Sequence, residues 1–353
     1  MNYPGRNDQR PQGPNQDVRQ QWKFFSHHKN RTNLQLQRGR FAMAASHHQQ
    51  GKLRLGCLFI LILFVLGTGT VNGQVVGDGY NNSLIYKIQS DTNTVYILGS
   101  IHVLAEEYYP LTRSFSYAYY NSQKVVFEID PEILFSPGSF SQHEKQYTLP
   151  KGKTLETVLS PKTYKLVKQK IQALGGNIQD FHPYKPWVLY LTLSGRFDSS
   201  IDFRPELGIE NHFYRMAKDA GKPTGGLETI QDQLNVFDTL PLNIQDALLQ
   251  ESLAAAGSKE REQAFLHMVK DWHQGNLDGL EQLVESFKTY PLFYNKLLVQ
   301  RNLNWIPQIE SFLQEKKNVL IIVGAAHLAG EDGLLALLKE KGHHLERVSY
   351  AMP

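Results

Sequence analysis

The chain is poor in cysteine. Of its 353 residues only Cys57 carries a thiol. Everything beyond it is therefore without disulfides, zinc–thiolate centres or a cysteine nucleophile. Any metal in that part must be held by His, Asp or Glu. Several dedicated signatures are missing too. There is no Walker loop, no Gly-x-Ser-x-Gly elbow, no His-Glu-x-x-His helix and no dinucleotide fingerprint. A basic face is also lacking in the larger part of the chain. The net charge is +3, but residues 1–56 hold ten Lys or Arg against Asp8 and Asp17, a balance of +8 that leaves −5 for the remainder. Such a mildly acidic body does not present the charge that nucleic acid requires.

Long apolar runs are scarce. Residues 55–71 are uncharged, and their strongly apolar centre, 57–66, is ten residues long. That is short of the roughly 20 residues of a bilayer span and suits a signal-peptide centre of about 7–15. Val71 and Gly73 stand where small residues precede a cleavage site. A start at Met43 would give a conventional signal peptide, basic at Lys52 and Arg54. The alternative is an uncleaved anchor over 55–73 with its basic end in the cytoplasm. Both readings put the body after about residue 75 outside the membrane, exported or membrane-anchored. "LGC" does not make a lipoprotein box, because the apolar run follows the cysteine. Residues 1–54 are rich in Gln, Asn, Arg and His and nearly free of aliphatic periodicity, so they are predicted to be a disordered basic tail. The "SHH" triplets at 26–28 and 46–48 read as surface polarity.

What the body does contain is a mixture of strand and helix. "LIYKIQ" and "TVYILG" flank the turn-rich "SDTN" and predict a β-hairpin. Residues 111–121 are a candidate helix. "KVVFEIDP" predicts a buried strand stopped by Pro131. "SPKTYKLVKQKIQAL" has Ser160 as N-cap and Pro161 in the first turn, and Gly175-Gly176 ends it. "KPWVLYLTLSG" and "GIENHFYRMAKDAGKP" are further helices, and "TGGLE" is a candidate short strand. Residues 230–314 are nearly all amphipathic helix. The pattern then alternates: strand at 318–323, helix at 332–341, and a last strand near "LERVSY". The expected fold class is α/β, with a mixed sheet built from the N- and C-terminal thirds and a helical middle region packed over it.

Two segments repeat one design. "VYILGSIHVL" and "VLIIVGAAHL" each run an apolar strand into Gly-x-x-His, at Gly99 and His102 and at Gly324 and His327. In open α/β sheets ligands sit outside the carboxyl ends of the strands. Glycine there tolerates close backbone contact and unusual dihedrals. One such histidine is adequately explained by a backbone hydrogen bond. Two on matching strands are better explained by a joint site. In "VVFEID", Glu128 lies inside an apolar strand, where a carboxylate must be paired or bound to metal. Asp130, beside Pro131, reads as a turn former. Glu210 opens a helix, so a site role and a helix-dipole role both remain open. His212 faces elsewhere. Glu228 closes "TGGLE" and is either a second acid of the site or a cap for the helix that follows. Arg301 falls on the stripe Leu297, Leu298, Trp305, Ile309 and needs an anion: Glu128, Glu228 or a substrate oxygen. His182, His267 and His273 read as structural. Two neutral imidazoles with a carboxylate suit a divalent ion such as zinc, manganese or cobalt. Such an ion activates water, a second carboxylate takes the proton, and Arg301 steadies the oxyanion.

The segments "YILGSIHVL", "VVFEID", "LGIENHFYRMAKDAGKPTGGLETIQDQ", "RNLNWIPQIE" and "VLIIVGAAHLAGEDGLLALLKEKGH" resemble the TraB/GumN family, in order and spacing. The likeness runs from about residue 84 to 350 and makes 80–353 one TraB/GumN-like domain. It implies an erythromycin-esterase/TIKI-like fold. For the TIKI branch it implies a metal-dependent peptidase outside the membrane. On this chain it singles out His102, Glu128 and His327 as metal ligands, with Glu210, Glu228 and Arg301 in support. The expectation is a hydrolase acting on a peptide or small-molecule substrate. The rival is a non-catalytic binder that sequesters a peptide signal or haem.

Overall fold

The computed structural model describes residues 83–139, 141–194 and 202–349. The basic tail at 1–54 and the apolar segment at 55–73 lie outside the described residues. Among the described residues no helix is long and apolar enough to cross a membrane.

Six strands form one mixed sheet. They are β1 (Ile85–Gln89), β2 (Thr94–Ser100), β3 (Lys124–Phe127), β4 (Thr224–Gly226), β5 (Val319–Gly324) and β6 (Leu345–Arg347). Their order across the sheet is β4-β3-β5-β2-β1-β6. The expected hairpin is β1 with β2, antiparallel, Ile85 opposite Leu98. The three central strands, β3, β5 and β2, are parallel. Parallel strands are covered on both faces and so read as unbroken apolar runs. This is why "VLIIV" has no alternation: all six residues of β5 are buried. The N- and C-terminal thirds supply five of the strands, as the pattern predicts. The middle of the chain adds the short edge strand β4, which pairs with β3.

The helices follow their caps. α1 (Arg113–Asn121) precedes β3. α2 (Pro161–Ala173) starts where the Ser160 side chain accepts from the Thr163 N–H, and Gly175 follows in the left-handed region. α3 (Pro186–Ser194) is apolar on all sides, as a helix enclosed by others must be. α4 (Ile209–Asp219) leads into β4. α5 (Ile230–Asp238) opens with a capping box between Thr229 and Asp232. α6 (Leu242–Ala254) packs on α2 and α3 and builds the predicted helical layer. α7 (Lys259–Gln274) packs on α8 (Leu277–Phe287), and α8 lies against the turn that carries His327. α9 (Gln300–Phe312) is entered through a π-helical turn, Asn295–Val299. α10 (Leu334–Glu340) precedes the last strand.

The strand ends that matter are those of β2, β3 and β5. Ser100 pairs with Gly324, so the two Gly-x-x-His units leave the sheet side by side, one residue out of step. Gly99 is required by contact: a Cβ there would stand 2.7 Å from the Leu328 side chain and 3.2 Å from Ala325 Cα. The second unit therefore packs directly on the first. Gly324 has an ordinary φ of −51°, so the unusual dihedral expected of it is absent. Its contribution is instead its N–H.

Candidate active site

Glu128 follows β3 and turns toward the end of β5. One carboxylate oxygen, Oε1, accepts the Gly324 N–H at 2.7 Å. The other, Oε2, accepts the Gln233 side-chain amide at 3.0 Å and Arg301 Nη2 at 2.5 Å. Arg301 projects from α9 into the middle of a buried charge cluster. Its Nε and Nη2 donate to both oxygens of Glu228, at 3.0 Å and 2.7 Å. Its Nη1 donates to the Leu297 carbonyl at 3.0 Å and to His327 Nε2 at 2.9 Å. The Arg301 guanidinium also stacks over the Trp305 ring, 4.8 Å from its centroid. Both anions that the sequence offered to Arg301 are thus taken together. Glu228 caps no helix; Thr229 does that.

One guanidinium between two carboxylates divides their chemistry. Burial raises Glu128, but Arg301, His327, His102 and the Gly324 N–H outweigh it and bring its pKa to about 2. For Glu228 burial, aided by the charge of Glu128, prevails over Arg301, and its pKa is raised. Arg301 itself is buried, but the two acids more than compensate and hold it protonated.

The two histidines differ sharply. His327 is 2% exposed. Its Nδ1 lies 2.6 Å from Asn302 Oδ1, and its ring centroid is 4.5 Å from that of Trp305. Burial first and Arg301 second lower its pKa to about 3. His102 opens onto a crevice with Nδ1 2.8 Å from Glu210 Oε1. Burial pulls its pKa down, but Glu210, by charge and hydrogen bond, reverses this, and the value rises to about 9. Glu210 is brought there by Gly208. A Cβ at 208 would lie on the His102 carbonyl, 2.1 Å away, and the Ile209 N–H bonds to Ile101 O at 3.0 Å. The start of α4 is thereby pressed against the first Gly-x-x-His unit. Ser100 Oγ donates to the same Glu210 oxygen.

The crevice has a cavity volume of about 80 Å³ and is lined by His102, Glu128, Glu210 and Gln233 among apolar walls that include Leu134, Phe135 and Tyr214. Of the six residues named from the sequence, His102, Glu128 and Glu210 line it, Arg301 and His327 do not, and Glu228 lines a separate cavity with Asp130, His143 and Thr229. His212 packs against Tyr109 and is apart from the cluster. Asp130 caps the short Pro131–Leu134 turn and accepts from Thr224 Oγ1 at 2.8 Å. His182 pairs with the Tyr164 hydroxyl, and His273 meets the Tyr108 ring edge. Sequence reasoning missed Asn302, Gln233 and Ser100. Asn302 adjoins Arg301 in "RN", a signal available had the neighbouring helix face been considered. Gln233 and Ser100 carried no signal of their own.

The donor types suit a divalent ion, but their arrangement does not. Among the described residues no group of three His, Cys, Asp or Glu stands where it could hold one ion. The expected trio of His102, Glu128 and His327 does not form such a group. Its members influence one another's charge, and Arg301 contacts two of them, Glu128 and His327.

A sequence model of the TraB/PrgY/gumN family matches residues 84–347. Metalloprotease TIKI1 of Danio rerio is 22% identical over 77% of this chain and 64% of its own length. Metalloprotease TIKI2 of Xenopus tropicalis is 21% identical over 75% of this chain and 60% of its own. The uncharacterized protein YbaP of Escherichia coli is 23% identical over 69% of this chain and 87% of its own. The chain spans less than two thirds of the length of these two TIKI relatives. No solved structure matches.

Proposed function

Since the chain belongs to the TraB/PrgY/gumN family, we propose that it is a peptidase-like hydrolase whose reaction centre is the crevice shared by His102 and Glu128. One observation carries this reading. A protonated imidazole and an ionised carboxylate line the same small, partly apolar cavity. These are the acid and the base that hydrolysis of an amide or ester requires. A water attacks the substrate carbonyl carbon and passes its proton to Glu128. The carbon–nitrogen or carbon–oxygen bond breaks, and the departing atom takes the proton held on His102. Glu210 orients His102 through Nδ1 and keeps it charged. Arg301 holds Glu128 in place and balances its charge. Glu228, expected as a possible base, does not line this crevice and acts through Arg301.

The TIKI relatives are named metalloproteases, and a metal dependence of this chain is tested together with this reading. The segment at 55–73 supports an exported or membrane-anchored body working outside the cytoplasm. The test is incubation of the full chain with a mixture of unmodified peptides. Parallel arms carry a chelator or added manganese, cobalt or zinc, and fragments are read by mass spectrometry. New termini are expected with the wild type and not with His102→Ala. Intact peptides in every arm would overturn hydrolysis in favour of a binder, and a Soret band in the purified protein would then identify haem as its ligand.

A further inference from the structure

Asn302 is 1% exposed and touches the second Gly-x-x-His unit. Its amide orientation follows from its partners. Nδ2 donates at 2.7 Å to the Asp332 backbone carbonyl, which can only accept. The NH2 end must face that way, so Oδ1 faces His327. An amide oxygen only accepts, so His327 Nδ1 at 2.6 Å must carry a proton. The other side of the ring leads to the same answer independently. Arg301 Nη1 only donates, so His327 Nε2 at 2.9 Å must be bare. The ring plane is held meanwhile by the Trp305 indole. Asp332 is in turn fastened through its carboxylate by the Tyr294 hydroxyl at 2.7 Å.

We infer that Asn302 is a positioning residue: it fixes His327 as the Nδ1–H tautomer and aims the Nε2 lone pair at Arg301, beside Glu128. This inference assigns a role within the hydrolase centre proposed above, and its reach into activity rests on that reading. The choice of an amide is specific. The corresponding acceptor on His102 is the carboxylate of Glu210, which brings charge with it. Asn302 supplies the same orientation without charge. A ring free to turn would present an N–H to the Arg301 N–H, two donors face to face in a buried place.

The test uses the full chain with ¹⁵N-labelled histidine, and the two ring nitrogens of His327 are read by long-range proton–nitrogen correlation. The assignment is made by difference against His327→Gln. The wild type is expected to show a protonated Nδ1 and an unprotonated Nε2 at neutral pH. Asn302→Leu, whose side chain cannot accept, is expected to shift the Nδ1 resonance and to speed exchange of its proton, because Arg301 alone then selects the tautomer. Asn302→Asp restores an acceptor at the same atom and is expected to slow that exchange again. If peptide cleavage is found, Asn302→Leu should lower kcat by about 10–100-fold with little change in KM. An Nε2–H tautomer in the wild type overturns the inference. So does an unchanged His327 signature in folded Asn302→Leu. Neither result depends on whether peptides are cleaved, so failure of this inference is distinguishable from failure of the hydrolase reading.

Discussion

The two Gly-x-x-His units begin alike and end as opposites. Both leave neighbouring parallel strands, and both present Nδ1 to an oxygen acceptor. At His102 the acceptor is Glu210, and the imidazole is lifted to about 9. At His327 the acceptor is Asn302, a guanidinium meets the other nitrogen, and the value falls to about 3. Local sequence is nearly the same in the two units. The charge of the histidine is therefore set by residues more than a hundred positions away in one case and 25–26 away in the other. Two imidazoles of similar local sequence are thus held in opposite charge states by their neighbours.

Removing Arg301 should break the contrast with the largest effect. Arg301→Met leaves Glu128 and Glu228 facing each other in a buried place with no cation between them. A loss of about 3–5 kcal/mol is expected, because uncompensated buried charge costs far more than the pair itself contributes. Urea unfolding of the two proteins measures it. Adding Glu128→Gln and Glu228→Gln to Arg301→Met should recover part of the loss, and no recovery would mean that packing against Trp305 dominates instead.

Next in size is the dependence of stability on pH, where the histidines act on opposite sides. His102 binds its proton more tightly folded than unfolded. Its contribution is complete below about 6.5 and is lost as pH rises through about 9. His327 resists protonation when folded, so stability falls as pH drops from 6.5 toward 3. Glu128 adds to that limb, complete above 4.5 and lost as pH falls toward 2. These groups place the maximum near pH 6.5, with limbs on the order of a few kcal/mol. The unfolding free energy of His102→Ala should keep the acid limb and lose this alkaline one. An alkaline limb of the same size in the variant would remove His102 as its source.

The smallest change sharpens the comparison most directly. Glu210→Gln keeps an acceptor beside His102 and removes the charge, which makes that position resemble Asn302. With Glu210 neutral, burial prevails, and His102 should titrate below its ordinary 6.5 instead of near 9. The accompanying loss of stability at neutral pH is about 1–3 kcal/mol for a charged hydrogen bond. Proton NMR titration of the labelled histidines decides it; a His102 midpoint that stays near 9 would shift the cause to Glu128.

Much of this was legible before any coordinates. Unbroken apolar runs announced β2, β3 and β5, because strands covered on both faces need no polar alternation. Ser160 with Pro161, and Gly175 and Gly221 at positive φ, marked helix ends by backbone chemistry alone. The glutamate in "VVFEID" and the arginine on the α9 stripe were conspicuous as charges in apolar surroundings, and each proved to be the partner of the other. The edge position of β4, Gln233 on Glu128, and Ser100 on Glu210 were not legible. Each depends on which elements come to lie side by side.

By itself the sequence determined which residues are able to take part: two histidines at strand ends, three buried or half-buried acids and one arginine in an apolar stripe. Local spacing and burial preference are enough for that. Only the tertiary structure decided their protonation and their mutual arrangement. A proton's affinity depends on charges and hydrogen bonds within a few ångströms, and those neighbours come from segments that are far apart along the chain.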